Sequence, residues 1–334
     1  MKKFLAAILG AIILSACLFG GCMMLDGSNG HDGQNLSIYD VFEATNAARK
    51  EAGLEELDFL TFIKEYFNYS GEELSEAACL QSAINRSMLS SVSIISGFHT
   101  SRFSRELEYY AGGGVIVDID RAAGDAYILT NCHVVYTDYP VEELAAKLYV
   151  YFYGNELFTT DGLYGETAEI LGASTTYDLA LLKISGSNSI KYGPYIAAAF
   201  AEDEVVYPGQ QVYAIGNPEG EGLSASVGIV SRESEIIELS LSEKSSSSSY
   251  NQYRVIRTDA AINGGNSGGG LFNSSGHLVG IINSKSVSED IENMGYALAG
   301  SYAKRVYKLF KDGYGKISGS DFGLEHALFP ADYR

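Results

Sequence analysis

Asn263-Gly264-Gly265-Asn266-Ser267-Gly268-Gly269 runs straight into Gly270-Leu271-Phe272, a turn at Asn273-Ser274-Ser275-Gly276, and a second apolar run from Leu278 to Ile282. Two short apolar runs joined by Asn, Ser and Gly read as a β-hairpin. The same pattern extends upstream. Val92-Ser93-Ile94, Gly114 to Val117, Tyr127 to Thr130, Leu148 to Tyr151 and Leu179 to Ile184 are short strand candidates between turn residues, and Gln211 to Ile215, Ala225 to Val230 and Tyr253 to Arg257 continue them. So many short strands over some 200 residues, without alternating helices, predict a mainly β domain built as a sandwich or barrel. Ser301 to Lys311, with Val306, Leu309 and Phe310 on one side, predicts a closing helix.

The stretch before the hairpin carries chemistry. A serine hydroxyl is a weak nucleophile that needs a base to take its proton. It also needs backbone N–H groups aimed at the oxyanion of a tetrahedral intermediate. Glycines on both sides of Ser267 let the backbone turn sharply, and the N–H groups of Gly265 and Ser267 are the expected oxyanion hole. Of the five histidines, His133 stands out. It follows the apolar run Tyr127 to Thr130, where the chain must turn, whereas His31, His277 and His326 lie in a tether, a hairpin turn and the tail, and His99 in a polar stretch. Asp178 immediately precedes the apolar run Leu179 to Ile184. A carboxylate there is either a surface residue or a buried one with a dedicated partner, and His133 is that partner in the catalytic reading.

Three blocks, Thr130-Asn131-Cys132-His133-Val134-Val135, Asp178-Leu179-Ala180-Leu181-Leu182-Lys183 and Thr258-Asp259-Ala260-Ala261-Ile262 through Gly269, resemble the signature blocks of the HtrA/Deg family of trypsin-like serine proteases. Ile215-Gly216-Asn217-Pro218, Ser226 to Ser231 and Gly295 to Leu298 resemble further parts of it. The resemblance implies a trypsin-like double β-barrel over 91–312, a His133, Asp178, Ser267 triad, and endoproteolysis of unfolded or misfolded envelope proteins without a metal or other cofactor. It also implies a specificity pocket walled by Ile262, Ile281, Asn283 and Ala297, whose apolar character predicts a preference for aliphatic side chains. Homotrimers are common in the family, and the aromatic-rich stretch 57–67 is a candidate contact. Two departures stand at Gly264 and Gly270, where the family usually has proline; both are expected to loosen the nucleophile loop. Only about 20 residues follow the closing helix, fewer than the roughly 50 of a small domain, so no C-terminal PDZ domain is expected. The alternative from another class is a catalytically silent or latent protein that keeps the fold for binding, such as an adhesin or holdase.

The N-terminal third reads differently. Met1-Lys2-Lys3 followed by an apolar run is the layout of an export signal, expected over 1–22. Leu14-Ser15-Ala16-Cys17 resembles a lipobox, with Cys17 as the lipidated residue. Cys22 and an uncleaved membrane anchor remain the competing readings. Residues 23–36 are a Gly-rich tether, 37–90 a small helical segment with Gly53 placed to cap its first helix, and 313–334 a tail. A third helix is expected from the capping box at Ser70 to Glu73, and Ser242 to Ser249 reads as a loop tip. Cys79 and Cys132 are either a disulfide or two small buried thiols. The composition, 46% hydrophobic and 19% charged, is that of a folded protein, and the formal charge of −19 disfavours nucleic acid, whose binding needs clustered Lys and Arg, so no nucleic-acid partner is expected.

Overall fold

The structure, a computed structural model, describes residues 42, 45–47, 49–50, 53–57, 62 and 76–328, apart from 156–164, 176, 202–205, 240–250, 284–293 and 314–326. Cys17, the tether, the Ser70 capping box and the Ser242 loop lie outside the described residues. The chain divides into two units, 1–82 and 83–334.

In the first unit, residues 42, 45–47 and 49–50 are helical and Gly53 ends the helix at φ +70°. Its N–H donates to the Lys50 carbonyl at 3.0 Å, and Leu54 N–H donates to the Arg49 carbonyl at 2.9 Å. This paired closure needs a left-handed residue, which glycine adopts without a Cβ penalty. Asn46 holds the following segment by exchanging hydrogen bonds with the Leu57 backbone at 2.8 and 2.9 Å. Phe42 and Phe62 pack edge to face at 5.3 Å and are both buried.

Helix α1 (Glu76–Met88) leads into the second unit, which is β-rich. Its first sheet contains β1 (Ser91–His99), β2 (Leu107–Asp120) and β3 (Asp125–Thr130). The short helix α2 (Cys132–Val135) and a two-stranded ribbon of β4 (Tyr136–Thr137) and β5 (Glu143–Leu144) follow β3. The sheet is completed by β6 (Lys147–Phe152), β7 (Glu166–Thr167), β8 (Glu169–Ser174) and β9 (Leu179–Ile184). After α3 (Asn188–Tyr192) come the strands of a closed barrel. These are β10 (Gln211–Gly216), β11 (Ser224–Leu239), β12 (Asn251–Thr258), β13 (Gly270–Asn273), β14 (Leu278–Asn283) and β15 (Gly295–Ala299). Helix α4 (Gly300–Gly313) closes the domain, and β16 (Ala327–Leu328) adds to the edge of the first sheet. The first sheet runs in the order β16-β8-β9-β3-β2-β1-β6-β7 and remains an open half-barrel, whereas the second closes in the order β10-β11-β12-β15-β14-β13.

Each sheet encloses its own core. Val92, Ile94, Ile128, Leu182 and Ile184 fill the first, and Val212, Val230, Leu271, Ile282 and Ala297 the second. The strands left out of the sequence reading, β7 and β8 above all, are short or interrupted by Gly172, whose missing Cβ makes room for the Phe310 ring. Phe310, Ala303 and Val306 form the buried stripe of α4, while Leu309, expected beside them, is half-buried. The hairpin from β13 to β14 forms around Asn273, whose side-chain oxygen accepts from the N–H groups of Ser275 and His277. Cys132 is a buried thiol in the first core.

Helix α4 is fastened at its far end. Lys311 and Tyr307 both donate to Asp118 on β2, Tyr307 at 2.8 Å, and Lys311 also lies 4.4 Å from the Tyr127 ring centroid. Partial burial alone would raise the Asp118 carboxyl, but the Lys311 and Tyr307 hydrogen bonds hold it below its ordinary 3.8. A depressed carboxyl contributes stability above its unfolded value and loses it as pH falls through the folded one. Lys311→Met is therefore expected to lower Tm at about pH 7, with the deficit shrinking as the carboxyl is protonated toward about pH 2. Thermal scans of both proteins across that range check it, and a deficit independent of pH would rule out the carboxylate as the cause.

Candidate active site

Helix α2 is a single turn whose other residues, Cys132, Val134 and Val135, are buried in the first core, which leaves the His133 ring directed at the surface with 18% of its side chain exposed. Three apolar anchors in four residues thus fix where the imidazole stands. Asp178 is the turn residue immediately before β9 and is 1% exposed, at φ +48°. For a residue other than glycine that left-handed backbone is strained, and it persists only where surrounding contacts hold it. Here they do. Asn131 Nδ2 donates to the Asp178 carbonyl at 2.8 Å. His133 N–H donates to Oδ1 at 3.0 Å, and Asn283 Nδ2 donates to Oδ2 at 2.7 Å.

His133 Nδ1 lies 2.8 Å from Asp178 Oδ2. An ionised carboxylate only accepts, so Nδ1 carries the hydrogen, and Nε2 of the neutral ring is left as an acceptor. That is the tautomer a general base for a hydroxyl requires.

Ser267 sits on a tight loop laced to both sheets. Its carbonyl accepts from Gly113 N–H on β2 at 2.7 Å, Gly268 N–H donates to the Ile282 carbonyl at 2.9 Å, and Ile282 N–H donates to the Gly269 carbonyl at 2.8 Å. Gly268 has φ +85°, and a Cβ there would stand 2.1 Å from Thr130 Oγ1, so both conformation and contact demand glycine. Gly265, at φ +86°, is equally constrained, since its Cβ would meet the Asn217 carbonyl at 2.1 Å. Asn217 is fully buried. Its side chain donates to Ser93 on β1 at 2.6 Å and accepts from Gly222 N–H at 2.8 Å, and the Gly264 carbonyl beside it accepts from Glu219 N–H at 2.9 Å. The Ile215 to Pro218 block thus supports the turn that carries Gly265. Among the described residues the Gly265 N–H donates no hydrogen bond.

Ser267, His133, Gly264 and Gly265 line one cavity of about 820 Å³. The four residues expected to wall a specificity pocket lie outside that lining. Ile281 and Ala297 are fully buried in the closed barrel, and Asn283, 1% exposed, is turned to the Asp178 carboxylate. Of the four, only Ile262 has appreciable exposed surface. Gly270, expected to loosen the loop, is a packed position of β13, with the Phe272 ring occupying the space a Cβ would take. Sequence reasoning also passed over His99. It ends β1, lines the same cavity, and is held by Glu143 through its N–H at 2.5 Å and its Nδ1 at 2.7 Å. No local signal marks that pair, because the partners are 44 residues apart. Among the described residues no group of three or more His, Cys, Asp or Glu is placed to hold a metal ion, and no helix is long and apolar enough to cross a membrane.

Comparison with known proteins places these features in context. A trypsin-like peptidase domain matches residues 112–281. The chain is 36% identical to the serine protease Do-like HtrA of Bacillus subtilis (strain 168) over 238 residues, 70% of this chain and 46% of that protein. It is 40% identical to the serine protease Do-like HtrB of the same organism over 188 residues, 55% of this chain and 35% of that protein. The chain therefore spans about half or less of the length of these relatives. Among solved structures, an HtrA-type protease, AlgW with a tripeptide, superimposes with a TM-score of 0.50 at 26% identity, covering 70% of this chain and 64% of that one. Matched across half its length by that domain and aligned with Do-like proteases, this chain belongs to the trypsin-like peptidase family, in its HtrA type.

Proposed function

We propose that this protein is a serine endopeptidase acting outside the cytoplasm on unfolded or misfolded polypeptides. The observation that carries this reading is the hydrogen-bonded series Asn283, Asp178, His133, which ends at a cavity containing Ser267. His133 Nε2 takes the Ser267 proton as Oγ attacks the substrate carbonyl, and buried Asp178 stabilises the imidazolium that forms. The negative oxygen is received by the N–H groups of Gly265 and Ser267. His133 then gives its proton to the leaving amine, and water, deprotonated by the same ring, hydrolyses the acyl-enzyme. An aliphatic preference on the acyl side belongs to the same reading, with Ile262 the one expected pocket residue that keeps exposed surface. A tether through lipidated Cys17 and assembly into a homotrimer belong to the same reading.

The test is degradation of an unfolded model protein by the full chain beside Ser267→Ala. The variant is expected to lose at least about 10⁴-fold in rate, as removal of a triad member does. Equal rates in the two proteins would reject Ser267 as the nucleophile, and products ending mainly in Lys or Arg would reject the aliphatic pocket.

Asn283 acts here as a positioning residue, through Asp178. Asn283→Leu removes one charge-assisted hydrogen bond of about 1.5–3 kcal/mol, so kcat is expected to fall roughly 10- to 100-fold with KM little changed. Asn283→Ser, which keeps a donor, should recover much of the loss. A fall confined to KM would instead make Asn283 part of the substrate pocket.

A further inference from the structure

The cavity at Ser267 is larger than the catalytic groups require, and most of its wall lies on the His133 side. From His133 it continues along the segment after α2, through Tyr136, Asp138 and Tyr139, to the end of β1 at Phe98 and His99. Glu108 and Tyr110 on the facing strand β2 complete it. Its volume of about 820 Å³ lies in the range of ligand sites, about 300–1,000 Å³.

The reaction decides which part of a substrate enters this space. The leaving nitrogen must come within hydrogen-bond reach of the imidazole that protonates it. The residues that follow the scissile bond therefore start against His133 and run along this wall.

The wall is held by contacts among its own residues. Phe98 supports Tyr110 at 6.1 Å between ring centroids, Glu142 accepts from the Tyr136 hydroxyl at 3.0 Å, and Thr137 accepts from Tyr139 N–H at 3.2 Å. Two rings are nevertheless turned to solvent, with Tyr110 53% and Tyr139 56% exposed. The carboxylates of Glu108 and Asp138 have no hydrogen bond or ion pair among the described residues, unlike Glu143, which is taken by His99. No Lys or Arg is among the residues lining the cavity. Exposed tyrosine faces and unpaired carboxylates are two independent features that attract the same ligand, a cation. The planar guanidinium, which stacks on rings and forks onto carboxylates, suits them better than an ammonium.

We propose that this wall is a subsite for the first residues after the scissile bond and that it selects arginine there, through Tyr110, Tyr139, Glu108 and Asp138. The inference rests on the proteolytic reading above and adds a leaving-side specificity to it. It is separate from the aliphatic preference on the acyl side.

The test uses the full chain and quenched peptides of one acyl half, with Arg, Leu or Glu at the first three positions after the bond and cleavage mapped by mass spectrometry. An ester of the same acyl half, which has no residues on the leaving side, runs in parallel. The expected result is a kcat/KM about tenfold higher for Arg than for Glu, falling below about twofold in the Glu108→Gln, Asp138→Asn double variant. Ester hydrolysis should be unchanged by that double substitution, whose sites are both exposed. Equal rates for Arg and Glu, or a preference that survives in the double variant, would overturn the subsite. So would an equal gain from arginine placed four residues before the bond, since attraction to the chain's charge of −19 would then account for it. If the wild type fails to hydrolyse even the ester, the proteolytic reading falls and the subsite with it.

Discussion

The buried carboxylate of Asp178 is the constraint on which the site depends. Removing a carboxylate from water is costly unless hydrogen bonds replace the lost hydration. Three donors do so here: His133 N–H, His133 Nδ1 and Asn283 Nδ2. The first two come from a turn of the first sheet and the third from β14 of the closed barrel. Satisfying one charge thus fixes an imidazole, its tautomer and the relative placement of two sheets. The strained φ of Asp178 fits this account, because the Asn131 hydrogen bond to its carbonyl holds the backbone where the carboxylate can reach all three.

Where Asp178 joins the sheets by charge, glycines join them by closeness. A Cβ on Gly113 would stand 2.9 Å from Gly269 N, one on Gly268 would stand 2.3 Å from the Gly113 carbonyl oxygen, and one on Gly112 would stand 3.3 Å from the Ser267 carbonyl oxygen. Backbone therefore packs on backbone along the seam, and the nucleophile loop takes its support from both sides. The seam is also polar in places, where the Asn217 side chain, after β10, donates to Ser93 on β1. Those buried groups are paired, as a low-dielectric interface demands.

The cavity that opens from this seam is asymmetric. On one side stands the Gly264–Gly265 turn, held by Asn217 and Glu219; on the other, an aromatic and acidic wall held by hydrogen bonds among its own segments. His99 in that wall and its partner Glu143 repeat the arrangement of His133 and Asp178, with a backbone N–H and an Nδ1 on one carboxylate. The repetition has a simple cause. A carboxylate that bridges a histidine's own backbone and ring locks the ring with few degrees of freedom, whether or not a nucleophile stands beside it.

What the sequence by itself determined was local. Short apolar runs bounded by turn residues, such as Leu179 to Ile184, and the Asn273 turn specified strands and a hairpin, because strand preference and turn conformation are properties of neighbouring residues. Gly53 marked a helix end for the same reason, and the glycines around Ser267 marked a turn that no other residue fits. The candidate nucleophile, base and acid were legible because each sits in a short block of its own. Only the tertiary structure decided what depends on approach between distant segments. It left the first sheet open while the second closed, buried Ile281 and Ala297, and turned Asn283 from the expected pocket to the Asp178 carboxylate 105 residues away. It also set Glu143 on His99 and gathered Tyr110, Tyr139, Glu108 and Asp138 around one cavity. Burial and pairing of this kind are set by which strands become neighbours in a closed sheet, and a strand's own residues do not specify its neighbour.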